Sequence, residues 1–175
     1  MTEKNAAREL IEALNERKWH IALAESCTGG LLAATLTEVS GASQVFELGM
    51  VSYSECIKEK MLGVKAETLT RHTVYSKETA IEMAQGVLRL ADANLALAVT
   101  GLAGPGGGTA TKPVGLVYVA AVGGDRLAAR EFRFSGDRAA VRRQTVTAAL
   151  EMALAFLRET PLAEIPKEKA GESKS

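Results

Sequence analysis

Apolar positions along this chain recur at helical spacing in some segments and gather into short runs in others. Ala6, Ala7, Leu10, Ile11 and Leu14 recur at helical spacing and predict a first amphipathic helix. HIALAES, ending at Ser26, is short and mostly apolar and predicts a strand. GGLLAATLTEV then predicts a helix that stops near Gly41, and VFELGMVSYS predicts a second strand. A short helix carrying Lys58 follows and ends at Gly63, a glycine suited to a left-handed cap. Ser76 is placed to cap a helix whose Ala80, Ile81, Ala84, Val87, Leu88 and Ala91 form one stripe. NLALAVTG predicts a buried strand. Beyond the loop LAGPGGGTATKPV, the segments GLVYVAAV and LAAREFRF flank Gly123-Gly124-Asp125, the pattern of a hairpin. Asp137 opens a long helix to about Leu157, with Val141, Ala148, Met152 and Phe156 inward.

Strands alternating with helices and closed by one hairpin predict an α/β fold. The expected form is a three-layer α/β/α sandwich on a mixed five-stranded sheet with an antiparallel fourth strand. Right-handed crossovers make the first three strands parallel. The fourth reverses, because no helix precedes it and a tight turn follows it; the fifth then runs with the first three. Ser26, the segment before Lys58, Thr100-Gly101 and the start of the last helix thereby share one sheet edge. That edge holds the carboxyl ends of the parallel strands, where open α/β sheets bind ligands. One domain over 1–160 is expected, with the polar segment 161–175 a disordered tail.

Composition narrows the function classes. The 175 residues are 47% hydrophobic, enough for a single core. Twenty-one basic residues balance twenty-one acidic ones, which speaks against nucleic-acid or membrane-surface binding but permits a local basic pocket. No apolar run is long enough to span a membrane, and the N-terminus lacks the apolar core of a signal peptide, so a cytoplasmic location is expected. Cys27 and Cys56 are the only cysteines and form no C-x-x-C, and His20 and His72 have no evident ligand partners. Neither a disulfide framework nor a metal site is expected.

The candidate chemistry lies at the shared edge. In AESCTGG, Ser26 ends a strand just before a helix whose first N–H groups could hold an oxyanion. The alternative is that Ser26 and Thr28 are N-caps; Cys27 is a competing nucleophile or a buried structural thiol. A serine nucleophile needs a base. His20 falls at the far end of its strand, whereas His72 stays open. Lys58 lies on the correct edge and would serve if burial lowered its pKa; otherwise it is a solvated helix lysine. Tyr53 either orients the lysine, donates to a substrate, or packs. TGLAGPGGG matches neither a Walker A loop nor G-x-G-x-x-G, leaving a close-approach wall, a lid or a mobile connector. Arg138 and Arg142, four apart, share a helix face suited to phosphate or to solvent.

Together AESCTGGLLA, the GMVSYS segment running to Lys58, TGLAGPGGG with KPVG, and FSGDRAAVRRQ resemble, in order, the CinA C-terminal-domain family of nicotinamide-nucleotide amidases. The resemblance covers nearly residues 5 to 158. It implies a Ser–Lys hydrolase that turns nicotinamide mononucleotide (NMN) into nicotinate mononucleotide and ammonia without metal or organic cofactor. Ser26 would attack the carboxamide, Lys58 would take its proton, and N–H groups of Thr28 to Gly30 would stabilise the oxyanion. Tyr53 would join Ser26 and Lys58 as a catalytic residue, Thr100 and Gly101 would line the substrate site, and Arg142, with Arg138, would meet the phosphate. The expected partners are a small-molecule nucleotide and further copies of the chain in a homo-oligomer, with no nucleic acid or membrane. Such domains often follow a molybdopterin-binding-like domain, for which this chain is too short. Two positions depart from the family pattern: Glu55 stands where asparagine is usual, and Thr73 where glycine is common. A carboxylate three residues from Lys58 would favour its protonated form. The alternative reading is therefore a weak or inactive pyridine-nucleotide-binding module.

Overall fold

A computed structural model describes residues 2–159, so the expected tail at 161–175 lies outside the described residues. The element order is α1 (Glu3–Arg17), β1 (Ile21–Glu25), α2 (Leu31–Thr37), β2 (Phe46–Val51), α3 (Glu55–Leu62), α4 (Ala66–His72), α5 (Lys77–Ala91), β3 (Leu95–Gly101), β4 (Leu116–Gly123), β5 (Arg126–Arg133) and α6 (Arg138–Arg158), with a 3-10 turn at Ala42–Gln44. The five strands form one sheet in the order β2-β1-β3-β4-β5. β1 pairs in parallel with β2 and β3, whereas β4 runs antiparallel to both β3 and β5. The mixed α/β sheet with a reversed fourth strand is as the pattern predicts. Two features differ: α4 and the 3-10 turn both fall where no helix was expected.

Side-chain size alternates across the central strands and decides how the layers pack. Ile21, Leu23, Leu95, Leu97 and Val99 join Val117 and Val119 in the core that α1, α2 and α6 cover. The opposite face presents Ala22, Ala24, Ala96, Ala98 and Ala120 to Met83, Ala84 and Val87 of α5. A face paved with alanine lets a helix sit close, whereas the branched face fills a thicker layer. Burial of each branched side chain contributes roughly 1.5–3 kcal/mol.

α5 in turn positions α3, which carries Lys58. A Cβ at Gly86 would fall 2.0 Å from the Leu62 carbonyl oxygen, so only glycine allows the end of α3 to rest there. α3 is closed at both ends: Ser54 accepts the Ile57 N–H, and Gly63, at φ 68°, ends the helix. Both ends of α3 are thus fixed relative to the sheet.

Candidate active site

β1 ends in a buried carboxylate. Glu25 is 1% exposed, and its two oxygens accept the N–H groups of Gly30 at 3.0 Å, Leu32 at 3.0 Å and Ala33 at 2.8 Å. These are among the N–H groups that a helix start leaves unpaired, and the helix dipole favours a negative charge there. Gly29 and Gly30, at φ 58° and 94°, let the chain turn from β1 back into α2 within a few residues. Sequence pattern alone did not single out Glu25. Its only signal is an acidic residue ending an otherwise apolar strand directly before a glycine turn. Glu25→Ala should lower unfolding stability by about 3 kcal/mol, because three N–H groups lose their acceptor. Denaturant unfolding would report it as a lower midpoint at unchanged m; an unchanged midpoint would contradict the role given to Glu25.

Because Glu25 caps α2, the Ser26 hydroxyl is left for other work. Lys58 Nζ lies 3.1 Å from Ser26 Oγ. The same nitrogen donates to the Ser52 carbonyl at 2.6 Å and the Tyr53 carbonyl at 3.2 Å. Carbonyl oxygens only accept, so they occupy two of the amine's N–H groups. In the neutral amine the remaining position is the lone pair, and it faces the serine O–H. In the ammonium form the third N–H takes that place. A proton can therefore pass from serine to lysine with no rearrangement of heavy atoms, as a preorganised site requires.

Lys58 is 1% exposed, and its pKa falls from the ordinary 10.5 to about 8. Desolvation is the main cause; Cys27 and Glu55 act in the opposite direction. The expected penalty from Glu55 is thus real in sign, but burial outweighs it. The neighbouring Cys27 thiol is pushed up to about 12, chiefly by burial, which leaves it protonated and a poor nucleophile at neutral pH.

A cavity of about 360 Å³ opens over this pair. Its floor holds Ser26, Cys27 and Lys58; Tyr53, Ser54, Glu55 and Arg138 stand around it. The remaining wall comes from Val74 and Tyr75 and from Gly101 through Gly107 of the glycine-rich loop, excepting Pro105. Lys112 ties the two parts of this wall together, donating to the His72 carbonyl at 2.8 Å, to the Tyr75 carbonyl at 3.0 Å and to Thr73 Oγ1. Thr100 Oγ1 donates to the Val74 carbonyl at 2.7 Å. The glycine-rich loop is therefore a fastened wall. Thr73 has φ 69° and ψ 170°, a region that glycine enters easily and a β-branched residue does not. Among the described residues no group of three or more His, Cys, Asp or Glu side chains gathers to hold a metal.

The family model for the CinA C-terminal domain matches residues 3–157. The chain belongs to the CinA C-terminal domain family. A CinA-like protein of Endomicrobium trichonymphae is 49% identical over 139 residues, covering 79% of this chain and 32% of that protein. The chain spans about a third of the length of the curated relatives it matches. Among solved structures, the competence/damage inducible protein CihA from Agrobacterium tumefaciens has a TM-score of 0.87 at 44% identity, covering 90% of this chain and 96% of that one. A CinA superfamily protein from Klebsiella pneumoniae gives a TM-score of 0.88 at 35% identity, covering 91% of this chain and all of that one.

In this CinA-type domain the expected site residues separate into two groups. Ser26, Tyr53, Lys58, Gly101 and Arg138 line the cavity; Thr28, Gly29, Gly30, Thr100 and Arg142 do not. Arg142 donates from Nε and Nη2 to the Thr28 carbonyl at 3.1 and 2.6 Å, which engages its fork inside the protein. Arg138 instead reaches the Gly104 carbonyl at 2.8 Å and the Tyr53 hydroxyl at 3.0 Å, on the rim. Tyr53 is 61% exposed and its hydroxyl meets Arg138, so it is the Tyr53 carbonyl, not its phenol, that orients the lysine.

The expected oxyanion donors also need correction. The Gly30 N–H is committed to Glu25 and the Gly29 N–H to the Ser26 carbonyl. Among the described residues, Cys27 and Thr28 give their N–H groups to no other backbone carbonyl. Neither Ser26 nor Thr28 caps α2: its N-cap is Gly30, and Thr28 Oγ1 is buried without a partner. His72 is no rival base, since its ring faces Glu78 at 3.7 Å away from the cavity. No helix among the described residues is long and apolar enough to cross a membrane.

Proposed function

We propose that this domain is an amidohydrolase that converts NMN to nicotinate mononucleotide and ammonia through a Ser26 acyl-enzyme, as part of pyridine nucleotide recycling. The observation that carries the reading is the buried contact of Ser26 Oγ with Lys58 Nζ at 3.1 Å, with the lysine pKa lowered to about 8. Membership of the CinA family supports the substrate class. A cavity of mononucleotide size with Arg138 on its rim supports it further.

In this mechanism Ser26 Oγ attacks the carboxamide carbon while Lys58 takes the hydroxyl proton. The N–H groups of Cys27 and Thr28 stabilise the oxyanion. Lys58 then passes its proton to the departing nitrogen, and ammonia leaves as the C–N bond breaks. Water attacks the ester carbon as Lys58 takes one of its protons; the carbon–Oγ bond then breaks as Lys58 returns that proton to Ser26 Oγ, and the product acid loses its remaining proton to solvent as the carboxylate. Arg138 holds the phosphate through N–H groups not engaged by Gly104 and Tyr53.

The test is direct. Purified protein given NMN should release ammonia and nicotinate mononucleotide in equal amounts, and quantitative recovery of intact NMN would refute the reading. The pH dependence gives a second check. Only neutral Lys58 can accept the proton, so kcat/KM should rise tenfold per pH unit below about 8 and level off above it. A profile flat from pH 6 to 9 would exclude Lys58 as the base. Lys58 should leave stability unchanged below about pH 8 and raise it above that. Between about 8 and 10.5 the unfolded chain holds a proton that the folded chain has released.

A further inference from the structure

Glu55 brings a free negative charge to the rim of a cavity built for an uncharged reacting group. It opens α3 immediately after the Ser54 cap and is exposed at the cavity wall. Among the described residues it makes no hydrogen bond through its carboxylate and no ion pair, although Arg138 lines the same cavity. Arg138 donates instead to the Gly104 carbonyl and the Tyr53 hydroxyl. Neither cationic side chain of the cavity pairs with it: Arg138 is engaged elsewhere, and the Lys58 amine donates to the Ser52 and Tyr53 carbonyls.

The consequence falls on one chemical difference. Resting on the amidase reading above, the substrate and product differ by a neutral carboxamide against a carboxylate, formed at Ser26. Lys58 and Glu55 are three residues apart on α3, both line the cavity with Ser26, and the charge of Glu55 acts on Lys58, so it reaches the part of the cavity where the carboxylate would form. A like charge placed there acts on the product and not on the amide. We propose that Glu55 is a specificity-determining residue that makes the cavity discriminate against the carboxylate product, favouring amide entry and product departure. The positive ring of an N-substituted pyridinium is common to both and does not alter the comparison.

The experiment uses the full chain carrying Ser26→Ala, which cannot turn substrate over, with and without Glu55→Gln. Calorimetry gives Kd for NMN and nicotinate mononucleotide on each protein. Glu55→Gln should tighten product binding relative to substrate by about fivefold, as expected for one solvent-screened interaction between exposed charges. Glu55→Asp in the same background should restore the discrimination, which loss of rim packing alone would not do. A substrate-to-product Kd ratio unchanged by Glu55→Gln would overturn the inference while leaving the amidase reading intact. Failure of both ligands to bind either protein would remove the substrate reading and this inference with it.

Discussion

Replacing Ser26 with alanine is expected to reduce ammonia release from NMN by about ten-thousandfold, with the fold unchanged. The substitution deletes one oxygen from a site whose architecture does not depend on it. The Ser26 N–H still donates to the Val99 carbonyl, and α2 is still held by Glu25. What disappears is the one hydroxyl among the described residues that hydrogen-bonds Lys58 Nζ, and with it the ester intermediate. Cys27 cannot take over, because its thiol is buried and pushed up to about 12. Ammonia release by the alanine variant at the parent rate, measured after confirming an unchanged unfolding midpoint, would reject serine catalysis.

Lys58→Met should cost about a thousandfold or more, for a different reason. Methionine fills a similar volume but offers neither a base nor a donor. The Ser52 and Tyr53 carbonyls lose their partner, while the expense of burying an amine disappears with it. The residual rate should also lose its rise toward pH 8. Arginine should not rescue it, since a guanidinium stays protonated and cannot accept the serine proton. Ser26→Ala combined with Lys58→Met should be no slower than the worse single variant, because the two side chains act as one unit. Multiplicative losses would mean that the lysine works independently of the serine.

How much of this was readable beforehand depends on which interactions carry the information. The short apolar runs of β1 and β3 and the hairpin at Gly123-Gly124 declare the sheet, because strand composition and turn chemistry are local. α4 hid because AETLTRH buries only Thr68 and Leu69 and so has almost no apolar stripe to read. Convergence of Ser26, Lys58 and Gly101 on one edge follows from topology and was visible. The atoms that tune the lysine were not: two are backbone carbonyls, which carry no sequence signature. Glu25 was hidden for another reason, since burial of a carboxylate follows from the turn that Gly29 and Gly30 permit. Arg138 and Arg142 look equivalent at helical spacing. One turn of helix separates them, and it sends one to the rim and the other to the Thr28 carbonyl.

The claim at the centre is that the Ser26 oxygen becomes covalently bonded to the acyl group of the substrate. Protein quenched in acid during turnover of NMN and mapped by peptide mass spectrometry tests it most directly. A nicotinate mononucleotide ester is expected on the peptide containing Ser26 and is expected to be absent from the Ser26→Ala protein. An adduct on Cys27, or rapid turnover with no adduct under conditions where water attack is slowed, would contradict it.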